Sequence, residues 1–95
     1  MTKNTSIVAT KDQVSTNLQG DSVILNLKSG VYFGLNAVGA RIWELVQQPI
    51  TIQQIQQTII GEYTVESERA ESDVMGLLKQ LNEAGLVEVV HAETD

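Results

Sequence analysis

Between Val14 and Leu35, apolar and polar side chains alternate with a period close to two, which is typical of β-strands with one buried face. Two short segments, Gln19-Gly20-Asp21 and Lys28-Ser29-Gly30, interrupt this pattern with residues that favour turns. Connections this short join neighbouring strands in antiparallel order. The pattern therefore predicts a three-stranded antiparallel sheet with strands at Gln13–Leu18, Ser22–Leu27 and Val31–Leu35.

After the third strand the apolar period changes to 3.6 residues, which indicates helices. Pro49 cannot continue the first of them, and Thr51 with Gln54 fits a capping box at the start of the second. Gly85 is well placed to end the third in the left-handed conformation. The predicted helices run from the Asn36 cap to Gln48, from the Thr51 cap to near Gly61, and from Ser67 to Ala84.

Three strands followed by three helices, with short connections, describe one small α+β domain of the winged helix-turn-helix type. Residues 1–11 show no periodicity and are interpreted as a flexible N-terminal tail. The predicted domain covers residues 12–90, and within it Leu86–Val90 is either a short final strand or an extended tail. Residues 91–95 are interpreted as a flexible C-terminal tail.

A chain of 95 residues, of which 42% are hydrophobic and 19% charged, has the composition of a single globular domain. It contains no cysteine, which excludes disulfides and thiolate chemistry. No apolar run approaches the roughly 20 residues of a membrane span, and the polar N-terminus does not have the pattern of a signal peptide. We therefore expect a cytoplasmic protein without a membrane partner.

The charge of the chain argues against binding to nucleic acid. The formal net charge is −6, and the acidic residues concentrate between positions 62 and 73, where Arg69 opposes them. Such a field repels phosphate groups. A winged helix suggests DNA binding, but the second predicted helix has no basic residue and the third is mainly acidic, whereas a recognition helix needs arginine or lysine. DNA binding is kept only as an alternative, and no nucleic-acid partner is expected.

Catalysis requires several reactive groups that the fold brings together. His91, the single histidine, lies in the C-terminal segment, and the carboxylates do not follow the spacing of metal ligands. The sequence has no GxGxxG or P-loop pattern. We therefore predict that the chain is not an enzyme and holds no cofactor and no metal.

The segment Val31–Leu35 is the candidate binding feature. As an outer strand it has an unpaired edge, and it lacks the lysine, proline or bulge that usually protects such edges. Its apolar side chains also fall on both faces, more than one core can bury unless a helix covers the other side. Two interpretations stay open: a peptide adds a strand at this edge, or the third helix or a second copy of the chain covers it.

The third predicted helix carries a second feature, a strip formed by Asp73, Gly76, Leu77 and Gln80. A glycine inside a helix costs about 0.5–1 kcal/mol relative to alanine, so a close neighbour at Gly76 would explain its presence. This strip is either the wall of a groove or an ordinary boundary of the helix.

Three segments closely resemble the PqqD-like family, also called RiPP recognition elements, where RiPP denotes a ribosomally synthesised and post-translationally modified peptide. They are LNLKSGVYFGLNAVGARIWELV, ITIQQIQQTIIGEY and AESDVMGLLKQLNEAGLVEV, and the resemblance covers residues 14–90. The matching positions are the aromatic strand, Leu35-Asn36, Gly39, Ile42-Trp43-Glu44-Leu45, Thr51, Ile55, Tyr63, Asp73-Val74, Leu81 and Gly85-Leu86.

The resemblance implies a winged-helix protein that is not an enzyme. Members of the family bind the leader segment of a precursor peptide as an added strand and present it to maturation enzymes. Leu77 stands where similar proteins often have an aromatic residue, which would widen the pocket. The residues that the resemblance implies for peptide binding are Val31, Tyr32, Phe33, Gly34, Leu35, Asp73, Gly76, Leu77 and Gln80.

A stand-alone chain of this size and pattern is most similar to the discrete recognition protein of lasso-peptide pathways. The implied partners are the leader segment and a leader peptidase of cysteine-protease type or another modification enzyme. Related proteins serve pyrroloquinoline quinone biosynthesis, where they deliver the precursor to a radical enzyme. That role, a DNA-binding winged helix and a dimeric adaptor with its third strand in a permanent interface are the alternatives.

Overall fold

The computed structural model describes residues 2–11, 13–18 and 21–91 of the chain. Six strands and three helices occur in these ranges, and the α+β class is confirmed. The strands are β1 (Ser6–Ala9), β2 (Gln13–Leu18), β3 (Asp21–Asn26), β4 (Tyr32–Leu35), β5 (Ile50–Thr51) and β6 (Val87–His91). The helices are α1 (Ala37–Leu45), α2 (Ile52–Glu62) and α3 (Ser67–Glu83).

The main sheet has the predicted antiparallel order β2-β3-β4. Its register pairs Ile24 with Ser15 on one side and with Phe33 on the other, so these three side chains share the inner face of the sheet. Leu25 pairs with Val14 and with Tyr32 on the outer face. The turn between β2 and β3 was predicted at residues 19–21, and positions 19 and 20 lie outside the described residues.

The N-terminal segment corrects the prediction of a flexible tail over residues 1–11. Strand β1 lies at the centre of a second sheet of order β5-β1-β6, in which Ser6 pairs with Thr51 and with His91. Ile7 is completely buried in the core. Four residues are too few to show a period, and the partners of β1, the strands β5 and β6, lie far away in the sequence.

The C-terminal prediction is resolved in favour of a strand. Leu86 to Val90 was expected to be either a strand or an extended tail, and β6 covers Val87–His91. His91 therefore belongs to the second sheet rather than to a tail, which corrects that boundary. Residues 92–95 lie outside the described residues.

The helix signals in the sequence are confirmed, with one change of length. The Asn36 side chain accepts a hydrogen bond from the Gly39 N–H at 2.9 Å, and the capping box of Thr51 and Gln54 is complete. Helix α1 ends at Leu45 rather than at the predicted Gln48. Its final turn tightens, since the N–H of residue 47 bonds to the carbonyl of residue 44 at 3.3 Å.

The core lies between the inner face of the main sheet, the three helices and the second sheet. Trp43 is 4% exposed and packs in this core. The outer face of the main sheet is not covered in the same way: Tyr32 is 70% exposed and Val14 is 51% exposed. The helices therefore bury one set of the apolar strand residues, and the other set faces outward.

Candidate functional site

Strand β4 forms one edge of the main sheet, and a hydrogen bond in the preceding turn indicates which of its backbone groups are free. The N–H of Asn26 donates to the carbonyl of Val31 at 3.0 Å, so Val31 directs its carbonyl toward β3. Backbone direction alternates along an antiparallel strand, so Phe33 also faces β3. Tyr32 and Gly34 therefore direct their N–H and C=O groups outward along the open edge.

A groove of about 460 Å³ lies beside this edge. Strand β4 and helix α3 line it on two sides, and α1, the end of α2 and the loop before α3 complete the lining. Most of the lining side chains are apolar. The polar ones are Asn36, Tyr63, Asp73 and Gln80. The groove can thus receive apolar side chains from a segment that lies along the strand edge, which is the usual form of a peptide-recognition cleft.

Six of the nine residues predicted to bind a peptide line this groove. Half-buried Phe33 and buried Leu35 extend from the inner face of β4, and half-buried Leu77 faces them from α3. The six are Phe33, Gly34, Leu35, Asp73, Leu77 and Gln80. The structure thus brings together the two separate segments that were predicted to form one site.

The other three predicted residues do not line the groove. Val31 lies in the turn before β4 and is exposed, and the Tyr32 side chain lies on the outer face of the sheet. Gly76 lies on α3, where a Cβ atom added to it would meet nothing within 4 Å. The close neighbour that was expected to explain this glycine is therefore not present in the described part of the chain.

Helices α1 and α2 and the loop before α3 also contribute to the groove, which was not predicted. Val38 and Ile42 of α1, Ile59 of α2, Tyr63 and Val65 line the groove. The signal of the three helical residues, Val38, Ile42 and Ile59, was present in the 3.6-residue apolar period. That period does not distinguish a side chain in the core from one at the bottom of an open groove.

The junction of β4 and α1 is tightly packed. An ideal Cβ atom at Gly39 would lie 3.1 Å from Cδ2 and 3.2 Å from Cβ of Leu35, so a larger residue at this position would press on the end of β4. The Asn36 cap holds the first turn of α1 directly after the strand. The edge strand is therefore fixed at its C-terminal end by its own helix.

Two polar contacts hold the helices around the groove. The Arg41 guanidinium on α1 donates two hydrogen bonds of 2.9 Å to the Glu62 carboxylate at the end of α2. These hydrogen bonds hold the pKa of the Glu62 carboxyl below its ordinary value of 4.5 and raise the pKa of Arg41. Buried Gln56 on α2 donates through Nε2 to the carbonyl of Glu71 on α3 at 3.2 Å.

The polar groups in the groove lining are one carboxylate, two amides and one phenol hydroxyl. Asp73 is the charged residue of its lining, and Arg69 lies 3.8 Å from it on the exposed side of α3. Within the described residues, no three histidine, cysteine, aspartate or glutamate side chains are grouped to hold a metal ion. None of the described helices is long and apolar enough to cross a membrane.

Comparisons with known proteins agree on one family. Residues 21–87 match the PqqD family, described as coenzyme PQQ synthesis protein D. A solved structure, "TbiB1 in complex with the TbiA(beta) leader peptide", is 34% identical with a TM-score of 0.78, and the match covers 90% of this chain and 99% of that one. A second, "lasso peptide synthetase B1 complexed with the leader peptide", is 26% identical with a TM-score of 0.75, covering 86% and 96%.

A comparison with curated protein sequences found no match. The family match extends from the first residue of β3 to the first residue of β6, so it includes both walls of the groove. On this match over most of the chain, together with the 34% identity to a solved relative, the chain belongs to the PqqD family.

Proposed function

We propose that this protein binds the leader segment of a RiPP precursor peptide and presents it to a maturation enzyme. The leader adds a strand to the main sheet at β4, with its side chains in the groove beside α3. The protein acts by binding and carries out no chemistry on the peptide. The observation that supports this most strongly is the combination of an open strand edge with an adjoining apolar groove.

The backbone of β4 supplies the sequence-independent part of the binding. The outward N–H and C=O groups of Tyr32 and Gly34 are available to a neighbouring strand, and a peptide that pairs with them extends the ladder by one strand. Each such hydrogen bond contributes about 0.5–1.5 kcal/mol net. Backbone pairing alone does not distinguish one peptide from another.

The groove supplies the specificity. Alternate side chains of an added strand point to the same face, so every second residue of the leader enters the groove. Apolar leader side chains bury against Phe33 and Leu77, and each square ångström of apolar surface removed from water contributes about 25 cal/mol. Asp73 at the groove favours a leader with a basic or hydrogen-bond-donating group at the matching position.

The relatives of known structure favour a lasso-peptide pathway over other RiPP pathways. Both are complexes with a leader peptide, and one is named a lasso peptide synthetase B1. In such a pathway the partner enzyme is a separate leader peptidase of cysteine-protease type. The name of the matching family gives weight to a second candidate, delivery of a precursor in pyrroloquinoline quinone biosynthesis.

Titration of fluorescently labelled leader peptides tests the proposal and separates the two candidates. The probes are the leaders of precursor peptides encoded beside the gene for this chain, with the TbiA(beta) leader as a reference. We expect saturable binding in the submicromolar to micromolar range to a lasso leader. Failure of every precursor leader to bind would contradict the proposal, and preference for a pyrroloquinoline quinone precursor would favour the second candidate.

Duplex DNA in the same assay tests the DNA-binding alternative. Helix α2 has no basic residue, and exposed acidic side chains on α3 such as Glu68 and Glu83 would face the phosphates. We expect no salt-dependent binding to duplex DNA, because counterion release requires basic contacts. Binding that weakens steeply with salt would restore the DNA hypothesis.

A further inference from the structure

Asn26, the last residue of β3, forms hydrogen bonds that the peptide-binding proposal does not use. Its side chain is buried, and Nδ2 donates to the carbonyl of Ala84 at 2.9 Å. Oδ1 accepts from the backbone N–H groups of Lys28 at 2.9 Å and Ser29 at 3.2 Å. One amide therefore joins the turn before β4 to the C-terminal end of α3.

These contacts lie at one end of the groove. Asn26 bonds through its backbone to Val31, directly before β4, and the N–H of Ala84 bonds to the carbonyl of Gln80. The side chain of Gln80 belongs to the groove lining. Because β4 and α3 form the two walls, the bond between Asn26 and Ala84 fixes their separation one helical turn beyond the groove.

The surrounding residues are arranged so that this bond can form. The last carbonyls of a helix have no partner within the helix, and the Asn26 amide satisfies one of them. Gly85 follows with a φ of 76°, and an ideal Cβ atom there would lie 3.1 Å from Nδ2 of Asn26. On the other side, Thr10 donates through Oγ1 to the carbonyl of Gly85 at 2.9 Å. The end of α3 is thus held from two directions.

We propose that Asn26 is a positioning residue for peptide binding, because its amide sets the distance between β4 and α3 and so the width of the groove. The proposal rests on the proposed function for its consequence, the affinity for a leader. Neither the 3.6-residue period nor the turn signals point to this residue. The relevant observation is a buried amide that connects the two walls.

Aspartate at position 26 separates the contact with the turn from the contact with the end of α3. Asn26→Asp keeps the shape of the side chain and the oxygen that accepts from the turn, but it replaces the donor with a carboxylate oxygen that faces the Ala84 carbonyl. Two facing oxygens repel each other, so the end of α3 moves away from the turn. Leu27→Asp is the matched control, since it adds the same charge at the neighbouring, exposed position.

Two measurements are made on both variants. The chain has no cysteine, so spin labels can be attached through Val31→Cys and Glu83→Cys, and their distance distribution reports the separation of the turn from α3 without any peptide. Binding of the labelled lasso leader reports the consequence. For Asn26→Asp we expect a longer and broader distance distribution and about tenfold weaker binding, mainly through faster dissociation. For Leu27→Asp we expect no change in either.

The outcomes distinguish this inference from the proposed function. If the wild-type protein binds the leader and folded Asn26→Asp has the wild-type distance and affinity, Asn26 is only a stability residue and the inference is overturned. If the distance changes but no leader binds even the wild type, Asn26 still sets the separation of β4 from α3, and the leader proposal fails.

If Asn26→Asp does not fold, Gly85→Asn replaces it, since asparagine tolerates positive φ and its Cβ presses on the Asn26 amide. For Gly85→Asn we expect the same longer distance and the same weaker leader binding.

Discussion

The two edges of the main sheet differ in what lies beside them. By the alternation of the ladder, Ser15 directs its backbone outward from β2 as Gly34 does from β4. Ser15 and Thr16, at the centre of β2, are exposed polar residues, and no residue of β2 belongs to the groove lining. On β4, by contrast, Phe33, Gly34 and Leu35 all line the groove.

This difference indicates that an open edge is not sufficient for peptide recognition. A strand added to β2 would gain backbone hydrogen bonds of about 0.5–1.5 kcal/mol each, but it would bury little apolar surface. A strand added to β4 would gain the same bonds and would also bury its side chains against α3. The groove rather than the edge therefore makes β4 the binding strand.

The largest effect is expected from Gly34→Pro. Proline removes an outward N–H from β4 and its ring obstructs a neighbouring strand, so leader binding should weaken by about 100-fold. Gly34→Ala keeps the N–H, and its Cβ meets nothing within 4 Å, so it should bind as the wild type does. Ser15→Pro makes the matched change at the β2 edge and should leave binding intact. Equal loss of binding by both proline variants in a fluorescence titration would remove the distinction between the edges.

A smaller effect is expected from truncation of the groove wall. Leu77→Ala removes a half-buried apolar side chain from the groove, which should cost about 1.5 kcal/mol of binding and weaken the affinity for the leader about tenfold. Lys79→Ala, on an exposed part of the same helix, is the control and should bind normally. Calorimetry measures both affinities, and an unchanged affinity for Leu77→Ala would show that side-chain burial in the groove does not drive binding.

Two glycines test how the β4 edge is held in place. Gly39→Ala forces a Cβ against Leu35 and should lower the free energy of unfolding by about 1–3 kcal/mol. Gly76→Ala meets no neighbour and should raise that free energy by about 0.5–1 kcal/mol, because alanine is the better helix former. Urea denaturation measures both changes. A stabilising Gly39→Ala would contradict the close packing of β4 on α1. Weaker leader binding by Gly76→Ala would indicate that Gly76 contacts the leader, as the sequence predicted.

The smallest effect is expected at the ion pair that joins α1 to α2. The pKa of the Glu62 carboxyl is lowered in the folded state, so its contribution to stability is present above the ordinary value of 4.5 and is lost as the pH falls through the lower folded-state pKa. Glu62→Gln should therefore be less stable than the wild type at neutral pH, and the difference should vanish in acid. Thermal unfolding of both proteins from neutral pH into acid measures this difference in stability. Glu44→Gln is the control, because Glu44 lies 3.8 Å from Arg41 and Glu62 lies 2.9 Å from it. A difference that persists in acid would exclude the charge pair as its cause.

The features of the fold that could be predicted are those with local causes. Asn36, Thr51 and Gly85 mark helix ends through their own side chains or φ angles, and the structure confirms all three. Strand β1 could not be predicted, because Ser6–Ala9 is a strand only through partners at Ile50–Thr51 and Val87–His91. Long-range pairing of this kind leaves no period in a four-residue segment.

The two segments that form the site were predictable, but the face of β4 that the helices cover was not. Alternation in the sequence places Tyr32 and Phe33 on opposite sides of β4, but it does not tell which side the helices cover. The structure puts Phe33 at the groove and leaves Tyr32 exposed. Asn26 was likewise unpredictable as a link to Ala84, since the two residues lie 58 positions apart.

Amide hydrogen exchange, measured residue by residue with and without the saturating lasso leader, tests most directly whether the leader adds a strand at β4. The outward N–H groups of Tyr32 and Gly34 are unpaired within the sheet and should exchange rapidly in the free protein. On leader binding we expect both to become strongly protected, while Ser15 at the β2 edge exchanges as before. Protection at Ser15, or unchanged exchange at Tyr32 and Gly34 in the complex, would contradict the account.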